Sequence, residues 1–244
     1  MSLVAPRPDP MRDRIPPKHD AGWTLGISHP GRIEAPADKA VRRLDLGPRE
    51  SVIDEGDVER FLYVVLEGAV MLSKLLPDGR RQITDLLGPG DVFGLSVSHL
   101  ADVTVETVLA SRIALYDRQT VEASAELQRL ISAGLRAQVC ALHDHAMLLG
   151  RKSAVERVST FLMRLLPNRG GNGCQGPSGD RKADQAQVQV PLTRQEIADY
   201  LGLTLETVSR AFSHLKREGF LDYGRHDEVT IVNVCRLCQC TGSH

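Results

Sequence analysis

Residues Leu192–Gly219, LTRQEIADYLGLTLETVSRAFSHLKREG, constrain this chain more than any other segment. Thr193 and Glu196 have the spacing of a capping box, in which two side chains satisfy N–H groups that the first helical turn leaves orphaned. Ile197 and Leu201 then fall on one face, four residues apart. Leu201-Gly202-Leu203 interrupts the pattern, and Thr204 is placed to cap a second helix. In that helix Val208, Phe212 and Leu215 make an apolar stripe at helical spacing. Glu206, Ser209, Arg210, Ser213 and Arg217 fall on the opposite side. Two short helices joined by a glycine turn, the second with a polar outer face, describe a helix-turn-helix, which presents such a face to the major groove.

The chemistry of that face carries more information than its amphipathicity. Arginine donates to guanine O6 and N7 together, and glutamate accepts from cytosine N4. One helical turn separates Glu206 from Arg210, so both reach the same few base pairs. A carboxylate aimed at a polyanion is otherwise costly, so Glu206 points to base readout rather than generic attraction. The plainer alternative is a solvated face with an i,i+4 Glu–Arg pair. The caps and the glycine turn around it favour the reading of bases.

At 244 residues the chain accommodates two modest domains, and 42 % hydrophobic with 25 % charged residues is ordinary for a globular protein. Aromatics are only 4 %, so the cores must be aliphatic. No apolar run is long enough to span a bilayer. The proline-rich, charged start, MSLVAPRPDPMRDRIPPK, lacks the apolar centre of a signal peptide, so a cytoplasmic protein without a membrane partner is expected. From Arg151 onward there are 13 Lys+Arg against 10 Asp+Glu, whereas the first 150 residues hold 17 against 21. The split is mild but has the sign that DNA binding by the C-terminal part requires.

Residues 1–30 read as a flexible tail. Residues 31–118 contain short apolar runs punctuated by turns: Ser51–Ile53, Phe61–Leu66, Ala69–Leu72, Gln82–Leu87, Val103–Leu109 and Arg112–Tyr116, with Asp78-Gly79 as a hairpin turn. They imply an all-β barrel or sandwich of about 80 residues. Residues 119–150 then read as one long helix, in which Leu135, Val139, Leu142, Ala146 and Leu149 are spaced 4, 3, 4 and 3. That is an a/d seam, so Ser132–Leu149 is expected to hold a homodimer. The alternative is that the same stripe packs against its own domain. Residues 151–234 form the DNA-binding unit: a helix over Ala154–Leu166, a flexible loop over 167–185, a short strand at Val188–Val190, the helix-turn-helix, and a wing from Phe220–Tyr223 and Glu228–Val232. Arg225 at the wing tip is placed to touch phosphate.

A β-roll, a long dimer helix and a winged helix-turn-helix, an α+β organisation, resemble the CRP/FNR family of bacterial transcription regulators. The motifs that carry the resemblance are YVVLEGAVMLSK at Tyr63–Lys74, GPGDVFG at Gly88–Gly94 and LTRQEIADYLGLTLETVSR at Leu192–Arg210. The resemblance implies a jelly-roll N-terminal domain of the cyclic-nucleotide-binding type. The FNR branch carries Glu-x-x-Ser-Arg in its recognition helix, matched here by Glu206, Ser209 and Arg210. It implies a palindrome of the TTGAT-N4-ATCAA kind, with Glu206 and Arg210 on the G·C pair and Ser209 supporting a thymine. Thr193, Thr204, Ser213 and Arg217 are the further expected DNA contacts, and RNA polymerase the expected partner.

The signal is constrained by what the chain lacks. The FNR branch holds an iron–sulfur cluster on N-terminal cysteines plus one in the β-roll, and here no cysteine precedes Cys140. The CRP branch holds a cyclic phosphate with an Arg-Ser pair, and Ala101-Asp102 stands there instead. A carboxylate at that position repels a phosphate. The remaining resemblance is to the FixK-type subgroup, which implies a ligand-independent activator, without cofactor, of microaerobic or anaerobic respiration or nitrogen-metabolism genes. An effector-sensing regulator, using haem, cyclic nucleotide or thiol redox, is the alternative.

Other constellations are weaker. Cys235, Cys238 and Cys240 lie on a tail, residues 235–244, where oxidation is conceivable; no metal site is expected. His143 and His145 are two residues apart and so point to different helix faces, a poor metal clamp. A metal-dependent cupin enzyme needs several histidines in the β-roll, and residues 40–120 contain His99 alone. No phosphate loop or nucleophile motif points to another enzyme.

Overall fold

The computed structural model describes residues 36, 39–94, 96, 98–166, 184–224 and 228–242. The expected tail 1–30, nearly all of the loop 167–185, and Arg225 lie outside the described residues.

Eight strands build the N-terminal domain: β1 (Arg42–Leu46), β2 (Ser51–Ile53), β3 (Phe61–Glu67), β4 (Val70–Leu75), β5 (Arg81–Leu87), β6 (Val92–Phe93), β7 (Thr104–Thr107) and β8 (Ser111–Asp117). They form two four-stranded sheets, ordered β1-β8-β3-β6 and β2-β7-β4-β5. Strand β3 shows why the sequence folds this way. Its residues Leu62–Val65 are all buried, because both faces are covered. Tyr63 and Val65 point between the sheets with Leu87, Phe93, Val105 and Ile113. Leu62 and Val64 point outward, where Leu127 and Leu130 of a helix cover them. Gly68 sits between β3 and β4 at φ +84°, where an added Cβ would lie 2.4 Å from the Ala110 carbonyl oxygen. At the expected hairpin, the Leu76 N–H donates to the Arg80 carbonyl at 2.8 Å.

Two strands differ from expectation. β1 (RRLDL) is a charged, largely exposed edge, and β6 is only two residues long inside a glycine–proline turn segment. β1 alternates only Leu44 and Leu46 among charged residues, and β6 is too short to alternate.

The helix expected over 119–150 is two helices, α1 (Arg118–Ala123) and α2 (Ala125–Arg151). Asp117 caps the first, accepting from the Thr120 N–H at 2.7 Å. Ser124 takes an extended conformation between them, and its hydroxyl accepts from the Leu127 N–H. Competition from this cap ends α1 and restarts the chain along the β-roll. Further on, Gly134 lets α2 approach β6: an added Cβ would lie 2.6 Å from Val92 Cγ2. The Gln138 side chain donates to the Val92 carbonyl at 2.5 Å. A mid-helix glycine costs about 1 kcal/mol; here it permits the close approach to Val92.

The C-terminal unit contains α3 (Ala154–Arg164), β9 (Ala186–Gln189), α4 (Arg194–Leu201), α5 (Leu205–Arg217), β10 (Leu221–Tyr223), β11 (Glu228–Ile231) and α6 (Val234–Gln239). Its small sheet is ordered β10-β11-β9. Residues 235–239, expected as part of a tail, instead belong to α6, because Val234 and Leu237 are buried in the core. That core joins Phe161, Ile197, Leu201, Val208, Phe212 and Leu215 to Met71, Ile83 and Leu86 of the β-roll. The two units therefore share one apolar cluster. Among the described residues no helix is long and apolar enough to cross a membrane.

Candidate nucleic-acid interface

Helix α4 begins with the expected capping box. Thr193 Oγ1 accepts from the Glu196 N–H at 3.2 Å, and the Glu196 carboxylate accepts from the Thr193 N–H at 2.7 Å. Gly202 ends the helix at φ 60° and ψ 44°, the left-handed conformation that a non-glycine residue resists. Thr204 then caps α5, accepting from the Thr207 N–H at 3.2 Å. Val208, Ala211, Phe212 and Leu215 are buried, which fixes the rotation of α5.

That rotation brings five expected residues to one open face. Glu206, Ser209, Arg210, Ser213 and Arg217 are all exposed. Thr193 and Thr204 stand at the N-termini of α4 and α5, each with its hydroxyl engaged in a cap. The Glu206 carboxyl is held below the ordinary carboxylate range by its own backbone N–H, by the Thr204 hydroxyl and by Arg210. It is therefore charged at neutral pH, the state that accepts hydrogen bonds from a base. His214, Lys216 and Arg217 occupy the last turn of α5, where cations complement the helix dipole.

Further residues join this surface without a sequence signal. A groove along α5 is bounded by Ala154 and Val155 at the start of α3, opposite Ser209, Arg210 and His214. The Arg194 guanidinium lies 3.4 Å from the Phe212 ring centroid, and Lys216 Nζ lies 4.7 Å from that of Tyr223. Arg157 of α3 caps two helix ends at once. It donates to the Leu149 and Lys152 carbonyls at 2.6 and 2.9 Å, and to those of Leu201 and Gly202 at 2.8 and 3.3 Å. Its acceptors are carbonyls, which no residue pattern advertises.

The seam of α2 is open for most of its length. Leu135, Val139 and Leu142 are 43 %, 49 % and 48 % exposed, and Ala146 is also exposed. Leu149 is half-buried against the DNA-binding unit. The inward stripe of α2 contains Leu127, Leu130, Gly134, Gln138, His145 and Leu148. Seam residues 135, 139, 146 and 149 each follow an inward residue by one position, a rotation of about 100°. Apart from Leu149, the chain's own packing thus uses a different stripe from the seam.

His145 is buried where α2 meets α4, its ring 4.6 Å from that of Tyr200, and neither ring nitrogen has a hydrogen-bond partner. Burial, then Arg164 and Arg157, lowers its pKa from 6.5 to about 4. Between these values the unfolded chain binds the proton and the folded chain does not. Stability is therefore complete above pH 6.5 and declines below it, levelling near pH 4. His145→Leu is expected to remove this component, so that its stability relative to wild type rises by about 2 kcal/mol between pH 7 and 4.5. Urea melts followed by circular dichroism at the two pH values check it; an unchanged difference refutes the assignment.

Cys235 and Cys238 lie on α6 and Cys240 ends it, all half-buried, while Cys140 is exposed beside the seam. Among the described residues no cluster of three or more His, Cys, Asp or Glu side chains is arranged to hold a metal ion. The Asp102 carboxylate lies 3.7 Å from Lys74 Nζ, and Ala101 is buried with its N–H donated to the Asp57 carbonyl. Ala101-Asp102 thus offers a carboxylate and a buried methyl where a cyclic phosphate needs a cation and a hydroxyl. These residues do not fit that ligand.

Two known domain families match the chain. Residues 43–126 match the cyclic nucleotide-binding domain, and residues 156–240 match the Crp-like helix-turn-helix domain. The chain is 37 % identical over 204 residues to the nitrogen fixation regulation protein FixK of Bradyrhizobium diazoefficiens, covering 80 % of each. It is 34 % identical to the transcriptional activator protein FnrL of Cereibacter sphaeroides, covering 79 % of this chain and 77 % of that one. The solved structure of FixK2 from Bradyrhizobium japonicum superposes with a TM-score of 0.68 at 32 % identity, over 83 % of this chain and 98 % of that one.

Proposed function

The chain belongs to the CRP/FNR family of transcription regulators and is FixK-like within it, and from that premise we propose that it is a homodimeric activator, working in the cytoplasm without an effector on a TTGAT-N4-ATCAA-type palindrome. The exposed Glu206–Ser209–Arg210 face of α5 carries this reading. Two charged side chains one turn apart supply an acceptor for cytosine and a bidentate donor for guanine. The open seam at Leu135, Val139, Leu142 and Ala146 supports a dimer, which sets two recognition helices in successive major grooves about 34 Å apart. Ligand independence rests on the missing cysteines before Cys140 and on Asp102 at the phosphate position. The names of the FixK relatives, nitrogen fixation regulation proteins, support nitrogen-metabolism genes as targets; microaerobic or anaerobic respiration genes, and RNA polymerase as the recruited partner, rest on the family resemblance.

Fluorescence anisotropy on a labelled TTGAT-N4-ATCAA duplex, in air with reductant and no cofactor, tests this. Selective binding is expected. Inserting about half a helical turn, roughly five base pairs, between the half-sites is expected to abolish it. Retained affinity on the lengthened duplex would refute the paired-helix geometry. Absence of selective binding on the parent duplex would favour an effector-dependent regulator.

A further inference from the structure

The β-roll holds helix α4 through two arginines that the proposed DNA contact does not use. Arg49 occupies the turn between β1 and β2 in the left-handed region, φ 63°, a conformation that a long side chain adopts at a cost. Its guanidinium pairs with Glu196 and donates to the Pro191 carbonyl at 2.8 Å. Arg81 begins β5 and donates to Asp199 Oδ2 at 2.8 Å. Gln82 adds a bond to the Tyr200 carbonyl at 3.3 Å.

Both carboxylates are nearly enclosed: the Glu196 and Asp199 side chains are 8 % and 10 % exposed. A carboxylate so buried is tolerated while its cation is present, and removing the cation leaves an uncompensated charge. Each of the two ion pairs is therefore costly to break. Glu196 is also the carboxylate of the α4 capping box. Arg49 thus reaches the first turn of the helix-turn-helix directly.

We propose that Arg49 and Arg81 are positioning residues for operator recognition, clamping α4 to the β-roll of the same chain so that the two recognition helices of a dimer are presented at one fixed separation. Without the clamp the DNA-binding unit is held to the roll by α2, α3 and the shared apolar cluster of Met71, Ile83 and Leu86 alone, a non-directional contact, and the ordering cost falls on DNA binding. The inference rests on the proposed palindrome for its readout, but the clamp itself has a test that needs no DNA.

The full-length Arg49→Ala/Arg81→Ala protein is compared with wild type on palindromes with spacers of three, four and five base pairs, and on a duplex with one half-site at low salt. Wild type is expected to prefer one spacer sharply. The variant is expected to bind that duplex at least about tenfold more weakly, to lose the spacer preference, and to keep the half-site affinity, because α5 is untouched. Arg81→Lys is expected to restore part of the preference. Unchanged spacer preference overturns the proposal, as does a parallel loss on the half-site, which would mean a damaged helix-turn-helix. Tighter binding by the variant also overturns it and would make the contact an inhibitory one. If wild type shows no selectivity on any of these duplexes, the proposed effector-free binding to this palindrome fails, and hydrogen exchange decides the clamp alone. Faster amide exchange in β5 and α4 of the variant supports it; unchanged exchange in both sinks it.

Discussion

Arg210→Ala is expected to reduce affinity for the TTGAT-N4-ATCAA duplex by between about thirtyfold and about twenty-five-thousandfold, with far less change on unrelated DNA. A bidentate arginine–guanine contact discriminates by about 1–3 kcal/mol, and a dimer loses two of them. Arg210 is exposed on α5, outside the stripe of Val208, Ala211, Phe212 and Leu215 that holds the helix in place. The substitution should therefore leave folding intact, and an unchanged thermal melt is the control. Glu206→Ala is expected to behave differently. It removes an acceptor but also a negative charge beside a polyanion, so nonspecific binding should rise while discrimination at the G·C pair falls. Measured on operator duplexes with that pair reversed, wild type should reject the change strongly and Glu206→Ala, which keeps Arg210, should reject it less. Equal rejection by both proteins would remove Glu206 from the readout.

The parts legible in the sequence are those whose physics is local. A capping box spans four residues, a glycine turn needs one, and a helical stripe repeats every three or four. Thr193, Gly202, Thr204 and the Val208–Phe212–Leu215 stripe all sit in the structure as their spacing requires. The β-strands were legible where apolar residues alternate or cluster, as in β3 and β5. They were not where the pattern is polar or short, as in β1. The break at Ser124 is not legible in the spacing, because Asp117 and Ser124 both compete with helix propensity through side-chain caps while the apolar seam farther along continues a helical period. The clamp and the Arg157 hub were invisible for a different reason. Arg49 meets Glu196 across 147 residues, and Arg157 binds backbone carbonyls. Nothing in local spacing encodes either.

The seam on α2 yields the other large effect. Val139→Glu/Leu142→Glu is expected to convert a dimer to a monomer and to lower operator affinity to that of a single half-site. Val139 and Leu142 are about half exposed within one chain, so charging them disturbs little of that chain's own packing. In a paired helix the same positions face their symmetry mates, where like charges oppose each other without solvent between them. Two linked half-sites bind through an effective concentration that a monomer lacks, so the loss is expected to reach at least about a hundredfold. Sedimentation equilibrium reports the assembly, and anisotropy on single and paired half-sites reports the binding. Leu127→Glu on the inward stripe gives the contrast: it is buried against Leu62 and Tyr116 and should unfold the β-roll instead. If Val139→Glu/Leu142→Glu remains dimeric and binds like wild type, the exposed stripe of α2 is not the dimer contact, and the half-site geometry must come from another surface.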